Sequence, residues 1–138
     1  MTRAPLAAAR RSLVWLPAVV AAALACASAA AAPSAARGEA IYARCAACHA
    51  LATNRVGPKH CGLFGRTSGS VPGFDYSAAM KNAHIVWNAQ TLDRFLAGPL
   101  TMVPGTAMTY DGVRDAAERA DLIAYLQQAS RAAECKNP

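Results

Sequence analysis

The chain has 138 residues, 54% hydrophobic and 16% charged, with 14 Lys and Arg against 8 Asp and Glu for a net charge of +6. That length suits one small domain with a thin core, of the kind that leans on a staple or a cofactor. No Lys/Arg cluster interleaved with aromatics is present, which excludes an ordinary nucleic-acid footprint.

The front end reads as an export signal. Arg3, Arg10 and Arg11 precede the uncharged run SLVWLPAVVAAALACA, and the small-residue run AAAAPSAA follows. Positive, apolar, then small is the order of a secretory signal peptide. The apolar stretch from Leu13 to Ala27 falls short of the roughly 20 residues of a spanning helix, and Pro17 interrupts it. Cleavage is therefore expected: 1–31 as signal peptide, cut somewhere within 27–32, and 32–138 as the single mature domain. Arg10-Arg11 raises twin-arginine export, which the flanking residues do little to support. Cys26 follows Ala23-Leu24-Ala25, a poor fit to a lipidation site. Membrane attachment is expected only if Cys26 is lipidated or the leader is retained.

Losing Arg3, Arg10 and Arg11 takes 14 basic residues to 11 against 8 acidic ones, and the net charge from +6 to +3. Export also implies an oxidising compartment, where disulfides form and persist. The expected location is the periplasm.

Ser34 to about Cys48 reads as the first helix, capped by Ser34. Gly38 inside it costs about 1 kcal/mol against alanine, so a close helix contact is the expected compensation. Asn54 to Tyr76 holds seven glycines and prolines and reads as loop. It is too long to be idle in so small a domain and is expected to wrap something. Ser77 to Asn82 suggests a short helix. Asn88 caps another, Ala89 to Ala97, with Leu92, Phe95 and Leu96 on one face. Gly98-Pro99 ends it, and a second loop runs from Leu100 to Gly112. The last helix starts at Asp115, with Glu118 placed for a capping box. It runs to about Ala132, with Leu122, Tyr125, Leu126 and Ala129 along one stripe. No strand and no repeat is legible. The fold class is all-α, with too little apolar surface to fill the centre.

The motif CAACH, residues 45–49, has three readings. A redox dithiol expects a strand–helix setting, and no sheet is legible. A zinc site wants four ligands, commonly in two close pairs, whereas Cys61 and Cys135 are isolated. Covalent haem attachment needs this pentapeptide: two thiols add to the porphyrin vinyls, and the adjoining histidine is delivered to the iron. In an exported chain of this size the third reading is preferred. A second axial ligand must close the iron. Met80 reads as helix core. Met102 and Met108 lie in the Pro-rich loop, and Met108 follows the turn Pro104-Gly105-Thr106-Ala107. Met108 is the expected ligand, because that turn fixes its backbone and Thr106 can hydrogen-bond beside it; its thioether would favour the reduced ion.

The segments CAACH, VGPKHCGLFGRTSG, PGFDYS, Trp87, VPGTAMTYDG and ERADLIAYL, in this order and spacing, resemble a class I cytochrome c of the soluble mitochondrial and bacterial type. The resemblance runs from Arg37 to Ser130 and makes 32–138 a cytochrome c domain. It implies a class I fold, with terminal helices crossing and short helices and loops wrapped around one haem c. It implies thioether attachment through Cys45 and Cys48, with His49 and Met108 as iron ligands. The Pro58 carbonyl would accept a hydrogen bond from the histidine's other ring nitrogen. Arg66, Tyr76 and Trp87 would surround the haem propionates, Thr106 would stand beside Met108, and Gly38 and Tyr42 would cross Leu122 and Tyr125.

The chain departs from the family in places. Tyr42 to Cys45 is one residue short of the usual spacing. Phe95 stands where a tyrosine commonly reaches toward the methionine sulfur. The loop GPLTMVPGTAMTY carries no charge, where the mitochondrial type has lysines, so a mostly apolar docking face is expected. Once haem has taken Cys45 and Cys48, and Cys26 has left with the leader, Cys61 and Cys135 remain. A disulfide between them is expected. His60 and His84 are expected at the surface.

The implied function is a periplasmic one-electron carrier, not an enzyme, with transient protein redox partners, no small-molecule substrate and a monomeric state. The alternative is a haem c subunit of, or dedicated acceptor for, a dehydrogenase or oxidase complex. A peroxidase-like haem enzyme would need an open iron position, which Met108 argues against.

Overall fold

The computed structural model describes residues 31–136. The expected signal peptide, the Arg10-Arg11 pair and Cys26 lie outside the described residues. Five α-helices are described: α1 (Ala35–Tyr42), α2 (Ala78–Asn82), α3 (Ala89–Ala97), α4 (Pro99–Met102) and α5 (Ala116–Ala129). A 3-10 turn, Ala133–Cys135, follows α5. The only pairing of strand type among these residues is an isolated antiparallel bridge between Thr67 and Val86. The domain is all-α, as expected.

α1 begins where Ser34 Oγ accepts the Arg37 N–H, and it buries Gly38, Ile41 and Tyr42. These positions are three and four apart, so they share one face. That face packs on α5, the most extensive helix–helix contact in the fold. The approach is close because residue 38 has no side chain. A Cβ there would run into the Asp121 carbonyl oxygen and would lie 2.7 Å from Tyr125 Cβ. The helical penalty of glycine is thus offset by contact between backbones.

α1 stops at Tyr42, short of Cys48. Beyond it the chain continues in tighter turns: the Arg44 N–H goes to Ile41 O, and the Cys45 N–H to Tyr42 O. These are three-residue bonds, which close a helix end and redirect the chain. α3 carries a full capping box between Asn88 and Thr91 and buries Leu92, Phe95 and Leu96. It packs on both α4 and α5. α4 overlaps the start of the stretch read as loop. Pro99 ends α3 but has the φ that suits a helix's first position, so it also starts α4. α5 is capped by Asp115, which accepts the Glu118 N–H at 2.9 Å. The Glu118 carboxylate does not complete the expected box. It pairs instead with Arg44 Nη2 at 2.7 Å, across to the end of α1. α5 also ends at Ala129, where Ser130 closes it, rather than at Ala132.

The core joins Ile41, Tyr42, Leu63, Met80, Trp87, Leu92, Phe95, Leu96, Val113, Leu122 and Leu126. Leu122 is fully buried. The long loop is tied down rather than loose. Gly57 N–H bonds Cys48 O, Cys61 N–H bonds Leu51 O, and Gly62 N–H reaches Ser130 O at the end of α5. Gly65 N–H and Trp87 O, and Trp87 N–H and Arg66 O, join the loop to the entry of α3.

Asp121 is a buried carboxylate at the helix crossing. Arg37 binds it with two nitrogens, Nε at 2.6 Å and Nη2 at 2.8 Å. The Ser34 N–H adds a third bond at 2.7 Å. The Arg37 guanidinium, then the Ser34 amide, hold the Asp121 carboxyl below the usual carboxylate range. The unfolded chain therefore takes up this proton more readily. The interaction stabilises fully above the unfolded value of about pH 4 and is lost as pH falls through the folded value.

Two outcomes follow from this crossing. Gly38→Ala should destabilise the protein by about 3 kcal/mol, the upper part of the range for overpacking, because the obstructing atoms are backbone. Denaturant titration reads this directly. Asp121→Asn should lower stability at neutral pH and flatten its decline in the acid range; urea midpoints measured across that range check it.

Candidate functional site

Cys45, Cys48 and His49 sit on one turn. The Cys48 N–H bonds Cys45 O at 3.1 Å, and the His49 N–H bonds the same oxygen at 2.9 Å. Cys45 is partly buried and packs on the core, while Cys48 is exposed. The turn follows α1 directly, so its position is set by the α1–α5 crossing.

The His49 ring is constrained from the long loop. Its Nδ1 lies 2.8 Å from Pro58 O. A carbonyl only accepts, so the ring proton is on Nδ1 and Nε2 carries the lone pair. Burial pushes the His49 imidazole below its usual value, and the bond to Pro58 offsets only part of that. Gly57 lies flat against the ring. A Cβ at this position would collide with it, at 2.6 Å from Nδ1. Gly57-Pro58 thus makes room for the imidazole and then binds it.

The other expected site residues fall into two groups. Thr106 is buried, and its Oγ1 accepts the Met108 N–H at 3.3 Å. Met108 is partly buried and, like Met102, packs against the core. Arg66 donates Nη1 to Cys61 O and Nη2 to Lys59 O, both at 2.9 Å. Burial lowers the Arg66 pKa and raises that of Tyr76, and each feels the other's charge, so the fold brings them together. Trp87 is buried against Phe95, with ring centroids 5.0 Å apart. Met80 is buried in α2, as expected of a core methionine.

His60 departs from expectation. It is not a surface histidine. Its ring stacks on His49 with centroids 4.4 Å apart and planes 18° apart. Its Nδ1 shares a 3.1 Å hydrogen bond with the Tyr42 hydroxyl. Burial first, then the nearby His49 and Arg66, push its pKa down to about 3. No periodicity exists in a loop to mark such a residue as inward. The available signal was its place two residues after Pro58. His84 is exposed, as expected.

Cys61 and Cys135 are brought together, with Cα atoms 5.1 Å apart.

The donor set excludes two of the three readings of CAACH. Among the described residues no group of three or more His, Cys, Asp or Glu is arranged to hold a metal ion, so zinc has no cage. A reactive dithiol wants a depressed thiol pKa, but burial pushes Cys45 up. Two thiols on one turn, next to an imidazole with Nε2 available, fit haem attachment.

A family model described as cytochrome c matches residues 35–130. The chain belongs to the cytochrome c family. It is 45% identical over 97 residues to cytochrome c type-1 of Ascaris suum, spanning 69% of this chain and 82% of that protein. It is 44% identical over 102 residues to cytochrome c2 of Blastochloris viridis, spanning 72% and 80%. The solved structure of cytochrome cH from Methylobacterium extorquens superposes with a TM-score of 0.67 at 38% identity, covering 69% of this chain and 98% of that one. The fold is that of a class I cytochrome c, with one haem c bound covalently through Cys45 and Cys48. This cytochrome c is an electron carrier rather than an enzyme, and it has no small-molecule substrate.

Proposed function

We propose that the mature chain, 32–138 after loss of the 1–31 leader, is a periplasmic one-electron carrier. In this reading His49 and Met108 would hold the haem iron. The protein works as a monomer that docks transiently on other redox proteins. The observation that carries the ligand assignment is the 2.8 Å bond between His49 Nδ1 and Pro58 O. It leaves Nε2 as the basic nitrogen, in the residue that adjoins Cys48.

Bound haem supplies a ferric–ferrous couple. The chain's residues supply the rest. Pro58 fixes the His49 tautomer. Met108, steadied at its amide by Thr106, offers a soft thioether that favours the reduced ion. Arg66, Tyr76 and Trp87 would serve the haem propionates, because a carboxylate taken out of water needs donors. The helices and loops hold both ligands through the cycle and keep water out, so little rearranges when an electron moves.

Partner docking rests on the 98–110 segment. It carries no charge, and Leu100 within it is 46% exposed. Encounter is then governed by apolar contact rather than by steering. The described helices include none long and apolar enough to cross a membrane. We further assign a disulfide to Cys61 and Cys135, supported by the 5.1 Å between their Cα atoms, which is within the reach of a bridge. It would join the long loop to the end of α5.

Met108→Ala should abolish the near-infrared charge-transfer band of the ferric protein, lower its midpoint potential and open the ferrous form to carbon monoxide. An unchanged band and potential would remove Met108 as ligand. Electron transfer to the native partner should depend only weakly on ionic strength; a steep fall with salt contradicts the apolar face. Thiol titration of denatured, unreduced holoprotein should find none. Reduction should then cost about 4 kcal/mol, from the 74-residue span in the chain-entropy account.

A further inference from the structure

The His49–Pro58 bond fixes only part of the imidazole's orientation. In the ring, Nδ1 lies close to the line that runs through Nε2 toward a bound metal. A hydrogen bond at Nδ1 therefore sets the tilt of that line but has a short lever on rotation about it. Rotation is resisted best by contact across the ring face. Gly57 supplies one such contact. The other is His60, stacked on His49 at 4.4 Å with planes 18° apart.

His60 is itself held. Its Nδ1 is hydrogen-bonded to Tyr42 Oη at 3.1 Å, and the Tyr42 ring meets it edge-on at 5.6 Å. Tyr42 is buried on α1 and packs at 5.1 Å on Tyr125 of α5. The neighbouring backbone is pinned as well: the His60 N–H bonds Ala50 O and Leu51 O, immediately after His49. A continuous row thus runs from the crossing of the terminal helices to the candidate ligand: Tyr125, Tyr42, His60, His49.

We propose that His60, anchored by the Tyr42 hydroxyl, is a positioning residue that sets the plane of the His49 imidazole about its iron-binding axis. An apolar side chain of similar size at 60 would fill the same space, but it would offer neither a flat face nor a partner for Tyr42. The plane of an axial imidazole decides which iron d orbital takes π density from the ring. Together with the orientation of the second ligand, it sets the in-plane magnetic anisotropy of the ferric state and the spread of unpaired spin over the haem edge. The inference rests on His49 being the iron ligand.

The test uses ferric holoprotein and proton NMR, on the wild type, His60→Leu and Tyr42→Phe. The order and spread of the haem methyl resonances report the imidazole plane. Strongly shifted imidazole ring protons report ligation. In the wild type, ring protons displaced by the iron are expected. Their absence refutes the ligand reading and this proposal with it. In both variants the ring protons and the near-infrared band should persist while the methyl resonances shift and reorder. His60→Leu protein that keeps the wild-type methyl pattern overturns the proposal and leaves the ligand reading intact. Should His60→Leu fail to accumulate as holoprotein, Tyr42→Phe decides, because it keeps the packed ring and removes only the hydroxyl. An unchanged pattern there is equally fatal.

Discussion

The contact between α1 and α5 at Gly38 is the constraint from which the rest of the molecule is built. The α5 backbone at Asp121 occupies the space that a side chain at 38 would need. This brings two helices from opposite ends of the domain close enough for Tyr42 to meet Tyr125. It also fixes where α1 ends, and the attachment turn begins three residues later. The site is therefore not a loop property. Its first residues are an extension of a helix whose position is set by a contact with no side chain in it.

Polar groups reinforce that crossing with different weight. Asp121 is buried and takes three donors, two of them from Arg37, so removing Arg37 leaves a desolvated carboxylate without its counter-charge. Arg119 is nearly as enclosed. Its Nε binds Asp93 on α3 at 2.7 Å, and its Nη1 binds Val113 O and Arg114 O. It thereby ties α5 to α3 and to the segment before its own start. The Arg44–Glu118 pair has both side chains over 40% exposed. Such a pair contributes at most about 1 kcal/mol, and its effect is rather to orient the attachment turn against the start of α5.

The long loop brings the site's second half to the first. Backbone bonds carry it past Cys48, Ala50 and Leu51 and then to Ser130. Gly57, Pro58 and His60 all converge on one imidazole within this path. A loop so short of regular structure is stable here because its amides and carbonyls find partners on neighbouring turns. With Arg66 donating to Lys59 O and Cys61 O, the same stretch is braced by one of its own side chains.

Much of this was legible in the sequence, because some signals are local. Caps and apolar spacing act within a few residues, so Ser34, Asn88, Asp115 and the Leu92–Phe95–Leu96 face could be read directly. The CAACH spacing is likewise a local chemical requirement, and the glycine in α1 signalled a close contact without naming its partner. What tertiary structure alone decided were pairings between distant residues and the inward or outward facing of loop side chains. Glu118 looked like a cap until Arg44 competed for it. His60 looked like surface because no period of 3.6 or 2 applies to an irregular chain. Only the folded path, which stacks it on His49 and hands it to Tyr42, could say otherwise.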